Sequence, residues 1–206
     1  LVNNLPVRLD QGQLNVDLDV NVPSLENYQA SQVNGTVDIS EVTGQVTLNE
    51  DNPAPLLANL SLRLQEQALS IAQGEINFGN ILINLFGGAN LETGYDLNLA
   101  VSPFTLDTVL ALAPDVQLPI PTSGEFAIDL NVLGAIDQPQ LRAVLNATEP
   151  TQIDKIELAK TVVEVSADLN QIVLDRAEIR PATGGEIFGT GRIETNLKET
   201  IQSGKS

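Results

Sequence analysis

The side chains with most chemical potential in this sequence are carboxylates, since it contains 27 Asp and Glu residues but no His and no Cys. Two carboxylates held close together can act as general acid and nucleophile, so a carboxylate-based hydrolase is one hypothesis. That hypothesis predicts a cleft with two neighbouring carboxyl groups, one of them with a raised pKa.

The lack of His and Cys excludes Ser–His and Cys–His nucleophile systems and most transition-metal sites. The carboxylates stand mainly at alternate positions of strand-like segments, which is typical of a solvated sheet face. One stretch, Asp17-x-Asp19-x-Asn21, begins like a calcium loop, but Val22 stands where that loop needs its turn glycine. We therefore predict no catalytic residue, no metal site and no cofactor.

Net charge and composition limit the classes of partner that this protein can bind. The formal net charge is −17, which repels phosphate backbones, so we predict that the protein does not bind nucleic acid. Hydrophobic residues make up 42% of the chain and aromatic residues only 3%, so its apolar surface is almost entirely aliphatic. Such a surface is smooth and offers few polar groups to a ligand.

The chain has no initiator Met and no apolar run of about 18 residues that could cross a bilayer as a helix. We expect it to be a piece of a longer protein, with any membrane anchor outside these residues.

Alternation of apolar and polar residues is the dominant pattern, and it predicts strands with one apolar and one wet face. It is clearest where Leu14, Val16 and Leu18 alternate with Asn15 and Asp17. The pattern predicts about a dozen strands of 5–9 residues. Asn34-Gly35 has the chemistry of a two-residue hairpin turn or of a bulge. Alternation returns at residues 37–39, 46–48, 60–64, 69–71, 76–78, 95–101, 126–132, 163–165 and 187–193.

One segment predicts a short helix, at residues 105–113. Thr105 can cap its first turn, and Asp107 stands where the helix dipole favours negative charge. Pro114 ends it, and a proline-rich loop follows. Residues 102–122 are the candidate seam within a chain that we otherwise interpret as one continuous segment over residues 1–206.

The predicted fold is all-β. An aliphatic sheet face must be covered, and three architectures do this. A sheet curved into a taco-like open groove, elongated and antiparallel, fits best because the aliphatic composition suits a lining for acyl chains. A β-sandwich with a filled core remains the alternative, as does a closed barrel.

Two stretches resemble the TamB family of the AsmA-like, repeating β-groove proteins. A strand followed by a glycine-rich turn and a second strand occurs at residues 172–179 (IVLDRAEI) and 182–193 (ATGGEIFGTGRI). Residues 124–134 (GEFAIDLNVLG), with Pro139-Gln140-Leu141 opening the next strand, are similar too. The resemblance covers about two thirds of the chain, from Gly74 onward.

The resemblance implies a periplasmic segment of an envelope-spanning protein, anchored in the inner membrane by an N-terminal helix absent here. Such proteins are linked to phospholipid transport, to outer-membrane biogenesis with an Omp85-type barrel partner, and, in plastid inner-envelope relatives, to protein translocation. The family's C-terminal end, which meets the barrel partner, is not identifiable here, so we predict no partner-binding residues.

The predicted function is passive and non-enzymatic. An aliphatic groove would conduct or shield acyl chains of phospholipids, or strands of unfolded outer-membrane proteins, between the two membranes. The competing hypothesis is a structural or adhesive β-sandwich or β-solenoid with a filled core. The residues that we predict to line the groove are Leu14, Val16, Leu18, Leu62, Ile76, Phe78, Leu97, Leu99, Ile128, Leu130, Val163 and Val165.

Overall fold

The computed structural model describes residues 7–22, 32–47, 53–112 and 118–195. These residues form a single open, curved antiparallel sheet of 13 strands and one short helix, which confirms the all-β prediction. The strands are β1 (Val7–Asn21), β2 (Gln32–Thr47), β3 (Pro53–Gln65), β4 (Ala68–Phe78), β5 (Ile81–Asn90), β6 (Gly94–Thr105), β7 (Thr122–Ser123), β8 (Glu125–Gly134), β9 (Gln140–Ala147), β10 (Thr151–Ile153), β11 (Ile156–Ala167), β12 (Gln171–Pro181) and β13 (Ile187–Glu194), and the helix is α1 (Leu106–Leu112).

The strands follow one another across the sheet as a simple meander. Each long strand pairs antiparallel with its neighbours in sequence, from β1 to β6, then β8, β9, β11, β12 and β13. The short β7 precedes β8 and pairs with β10, which in turn pairs with β11 below β9. Among the long described strands, β1 and β13 therefore form the two free edges, and the short β7 also pairs on one side only.

Directly paired residues share a face of the sheet, so the register shows which side chains lie together. One cross-strand row runs from edge to edge without a polar side chain. It consists of Leu14, Ile39, Leu60, Gly74, Leu85, Leu99, Leu130, Ala143, Val165, Leu174 and Gly191.

Within the described residues, no second layer covers the sheet. In the described part of the chain, the only apolar side chains that count as buried are Ala54 and Leu158, each 5% exposed. A sandwich of two packed sheets would bury one face of every strand. The alternative prediction of a β-sandwich with a filled core is therefore wrong.

The predicted helix is confirmed as α1. The Thr105 hydroxyl oxygen accepts a hydrogen bond from the backbone N–H of Thr108 at 3.3 Å, as an N-cap does. Asp107 lies in the first turn, and Pro114 lies outside the described residues. The candidate seam at residues 102–122 does not divide the sheet, because β6 and β8, which this segment connects, pair directly with each other.

Nine of the described strands are longer than the predicted 5–9 residues, and β2 is the longest. β2 has 16 residues because a bulge, with Glu41 at a positive φ of 52°, joins two alternating stretches into one strand. Asn34-Gly35 lies inside β2, paired with Asp19 and Leu18, so its prediction as a turn or bulge is wrong. Gly35 has a φ of 145°, and a Cβ there would strike the backbone oxygen of Asp17. Only glycine fits this close approach.

Candidate functional site

The candidate site is the apolar face of the sheet, defined as the face that carries the row through Leu99 and Leu130. At its paired positions, the described residues include no Asp, Glu, Lys or Arg, because every charged residue in the register pairs on the other face. A second row on this face comprises Val16, Val37, Leu62, Ile71, Gly87, Leu97, Val132, Leu141, Ala167, Ile172 and Ile193.

The register brings all the predicted groove residues onto this face. Three further rows hold those outside the two rows above: Leu18 pairs with Gly35, Phe78 pairs with Leu56, and Ile76, Ile128 and Val163 belong to one row. Their contact with a lipid or a client strand stays a prediction.

Exposure is greatest at the two edges of the apolar face. Leu14 in β1 is 68% exposed and Ile193 in β13 is 65% exposed, because each edge strand has a neighbour on one side only. In the central strands the apolar side chains are half-buried by lateral packing alone, as for Leu97, Leu99 and Leu130. The side chains of this face are therefore partly exposed at its centre and most exposed at its edges.

Sequence reasoning missed an aromatic pair on this face. The rings of Phe104 and Phe126 lie 6.5 Å apart at a tilt of 40°, close to α1. The alternation did not reveal Phe104, because a bulge between Val101 and Phe104 breaks the period of two just before it. Both rings belong to the apolar face and extend its aliphatic surface towards the helix.

The strand ends at which α1 lies form one border of the apolar face, the helix border. A cleft of about 280 Å³ separates Thr108 and Leu112 of α1 from Ala54 of β3 and Gly79 of the β4–β5 turn. The approach is close, since a Cβ on Gly79 would lie 3.0 Å from a methyl carbon of Leu112. The helix thus flanks the apolar face without covering it.

The opposite, polar face carries an ion network that sequence reasoning also missed. The Glu178 carboxylate of β12 is fully buried. It accepts hydrogen bonds from Lys160 Nζ at 2.9 and 3.0 Å and from Arg176, and forms a salt bridge with Arg180 Nε at 2.7 Å. Three cations neutralise one buried carboxylate, which removes the cost of its desolvation. The alternation of Arg176, Glu178 and Arg180 on one face of β12 was the available signal.

The network extends across three strands and a turn. Glu164 of β11 pairs with Arg142 of β9 at 3.1 Å and with Arg176 at 3.5 Å, while Glu186 pairs with Arg180 at 2.8 Å. On the polar face, these ion pairs connect β9, β11, β12 and the β12–β13 turn. Their positions do not suit catalysis, because each carboxylate is already paired with a cation.

A second cleft, of about 330 Å³, lies where β9 and β11 meet the β11–β12 turn and includes Asp168. Hydrogen bonds, first from the backbone N–H of Asn170 and then from Gln171, lower the pKa of Asp168 below its ordinary value. A general acid needs the opposite shift. The described residues also contain no group of three or more carboxylates that could hold a metal ion.

No protein-family model, no curated protein and no solved structure matches this chain. Among the described residues, no helix has the length and apolar character that a membrane crossing requires. The membership of the TamB family stays a prediction from the sequence.

Proposed function

We propose that this chain is a non-enzymatic segment of a cell-envelope protein whose apolar sheet face shields phospholipid acyl chains from water. The observation that carries the proposal is the apolar face itself: it crosses the described sheet from β1 to β13 without a charged residue at a paired position, and no second layer covers it.

The size of this face argues for a ligand. Neighbouring strands lie about 4.8 Å apart, and each strand rises about 3.4 Å per residue. A face of eleven strands, each about eight residues long, therefore has an area on the order of 1,000 Å². Soluble monomers rarely expose contiguous apolar patches beyond a few hundred Å². An occupant that removes this surface from water is therefore strongly favoured.

Acyl chains suit the chemistry of the face. Each methylene that leaves water contributes roughly 0.8 kcal/mol. The rows through Leu62 and Leu130 offer no hydrogen-bonding side chain, so no polar contact holds an acyl chain at one position. Binding is then non-directional, and movement along the face is passive.

The cellular setting of the proposal rests on the sequence resemblance. A TamB-like protein would place this segment in the periplasm, tethered to the inner membrane through an anchor outside these residues, with an Omp85-type barrel as outer-membrane partner.

One observation favours a second cargo, an unfolded client strand. In the described sheet, β1 and β13 each pair along one side only, and β1 is 15 residues long. An unpaired strand edge is a template for an added strand. A client strand would bind by backbone hydrogen bonds at an edge, whereas acyl chains would contact the face.

Native mass spectrometry with lipid extraction tests the proposal on the chain purified from bacteria without harsh detergent. We expect phospholipid in near-stoichiometric amount or more, with uptake of a fluorescent acyl probe by the stripped protein. A clean ligand-free mass together with no uptake of the probe contradicts it.

A further inference from the structure

The border of the apolar face opposite α1, the turn border, includes four described hairpin turns, each of which carries a carboxylate and no cation. Glu66 lies in the β3–β4 turn, Glu92 in the β5–β6 turn, Asp137 in the β8–β9 turn and Asp168 in the β11–β12 turn. We call these residues the acidic turn row. Successive turns lie two strands apart, which is about 10 Å.

Exposed apolar side chains stand beside the carboxylates in two of these turns. Leu91 precedes Glu92 and is 72% exposed, and Ile136 precedes Asp137 and is 38% exposed. The apolar surface thus reaches the turn tips, where it meets the negative charge. A ligand with an apolar body and a polar end would find both features at this border.

A phospholipid on the apolar face has to keep its headgroup in water. The face offers no charged partner, and burial of an unpaired charge against it is costly. The headgroup is thus favoured at a border, with its acyl chains directed along the strands. At the turn border, no headgroup can be more than about 5 Å laterally from the nearest turn carboxylate, which is within one Debye length at physiological salt.

Among the described residues, few cations lie near this border, and one of them, Arg192 of β13, acts electrostatically on Asp168. Arg63 and Arg142 lie on the polar face close to the turns, and Arg142 is paired with Glu164 at 3.1 Å. Asp96 adds a further negative charge beside the β5–β6 turn. In the whole chain, acidic residues outnumber basic ones by 27 to 10.

From this charge complementarity we infer that the apolar face selects phospholipids with a zwitterionic, amine-bearing headgroup over those with a net negative headgroup. The inference rests on the proposed binding of acyl chains. An ammonium group is attracted by the acidic turn row and can donate hydrogen bonds to its carboxylates, whereas a headgroup of net negative charge is repelled.

A competition experiment on the full chain tests the inference. Lipid-free protein is mixed with vesicles of equal parts phosphatidylethanolamine and phosphatidylglycerol with identical acyl chains, then re-isolated, and the bound lipids are quantified by mass spectrometry. We expect the bound ratio to favour phosphatidylethanolamine by roughly threefold or more at low ionic strength, and to approach one at high salt because salt screens exposed charges.

Substitutions in the acidic turn row test whether its carboxylates cause the headgroup preference. The triple variant Glu66→Gln, Glu92→Gln and Asp137→Asn should bind as much total lipid but lose the preference. Asp168 is left intact because its carboxylate holds the β11–β12 turn. The matched control removes three charges near the helix border, by Glu149→Gln, Asp154→Asn and Glu157→Gln, and should keep the preference.

The outcomes separate this inference from the function on which it rests. A bound ratio near one in the wild type, with lipid bound, overturns the selectivity and leaves acyl binding intact. Loss of preference in both triple variants shows a global charge effect and overturns the role of the turn border. Absence of any bound lipid overturns the proposed function itself.

Discussion

Val165 and Ser166 are neighbours in β11 but belong to opposite faces. Val165 pairs with Ala143 and Leu174 on the apolar face, and Ser166 pairs with Arg142 on the polar face. The same new side chain at these two positions therefore meets opposite surroundings. The pair allows the role of the apolar face to be tested one residue at a time.

We predict that Val165→Asp lowers acyl-chain binding roughly fivefold or more, because burial of even an unpaired neutral polar group costs about 1–3 kcal/mol and burial of an ionised carboxylate costs more. Ser166→Asp should bind normally, since its carboxylate faces Arg142. Binding of a fluorescent fatty acid measures both, and circular dichroism verifies that both variants keep the sheet. Val165→Thr repeats the test with a side chain of similar size. Equal binding by Val165→Asp and Ser166→Asp would contradict the face assignment.

Asp168 predicts a pH dependence of stability. Its carboxylate accepts hydrogen bonds from the backbone N–H groups of Asn170 at 2.7 Å and Gln171 at 3.1 Å, and these lower its folded-state pKa. A lowered pKa contributes stability above the unfolded-state pKa of about 3.9, and this is lost as pH falls through the folded value.

Asp168→Asn should therefore destabilise the protein at pH 7 and make the loss of stability between about pH 5 and pH 2 shallower. Urea unfolding at a series of pH values measures this. Asp137→Asn is the control, because no hydrogen bond of the Asp137 side chain occurs in the described part of the structure. If Asp168→Asn and the wild type lose stability in parallel on acidification, the turn does not depend on this carboxylate.

Among the elements, β2 depends on one glycine for its pairing with β1. A methyl group on Gly35 would strike the backbone oxygen of Asp17, and the φ of 145° disfavours any side chain. Gly189 of β13 is the contrast, because a Cβ there would lie 3.5 Å from that of Ala177, an ordinary contact.

We predict that Gly35→Ala destabilises the chain by about 2 kcal/mol or more, since both backbone strain and a clash oppose it. Gly189→Ala should change stability by less than about 1 kcal/mol. Chemical denaturation compares the two. Similar unfolding midpoints for both variants would show that β1 does not hold this register.

Alternation predicted most of the elements because a half-buried strand leaves a period of two in its sequence, as in β6 and β8. It also sorted side chains correctly onto faces, as for Leu97 against Asn98. It failed at bulges, where an extra residue shifts the period, so β2 was split and Phe104 was missed. The Glu178 network combines two cations of the same strand, Arg176 and Arg180, with Lys160 of β11, and the alternation of charges in β12 alone does not reveal the burial of Glu178 or its contact with β11.

At the scale of the whole molecule, the described residues form a sheet with one apolar face that none of them covers, so the stability of the protein should depend on an occupant. A ligand that binds only the folded state stabilises it by about 2.7 kcal/mol at one hundred times its dissociation constant. We predict that a long-chain fatty acid, below its aggregation concentration, raises the melting temperature of lipid-free protein in a concentration-dependent way. Butyrate is the control, and should cause no shift at equal concentration. An unchanged melting temperature in the presence of the long-chain acid would argue against an exposed acyl-binding face.

The meander has a consequence for how the chain reaches its native state. Because every long strand pairs with its neighbours in sequence, most of the described hairpins close through a short loop, and the entropic cost of closure stays low; the longer connection through α1 joins β6 to β8. The sheet can then grow strand by strand from one end of the chain, without waiting for a distant partner. Such growth resembles that of repeat proteins, in which each added unit meets a surface already formed by the one before it.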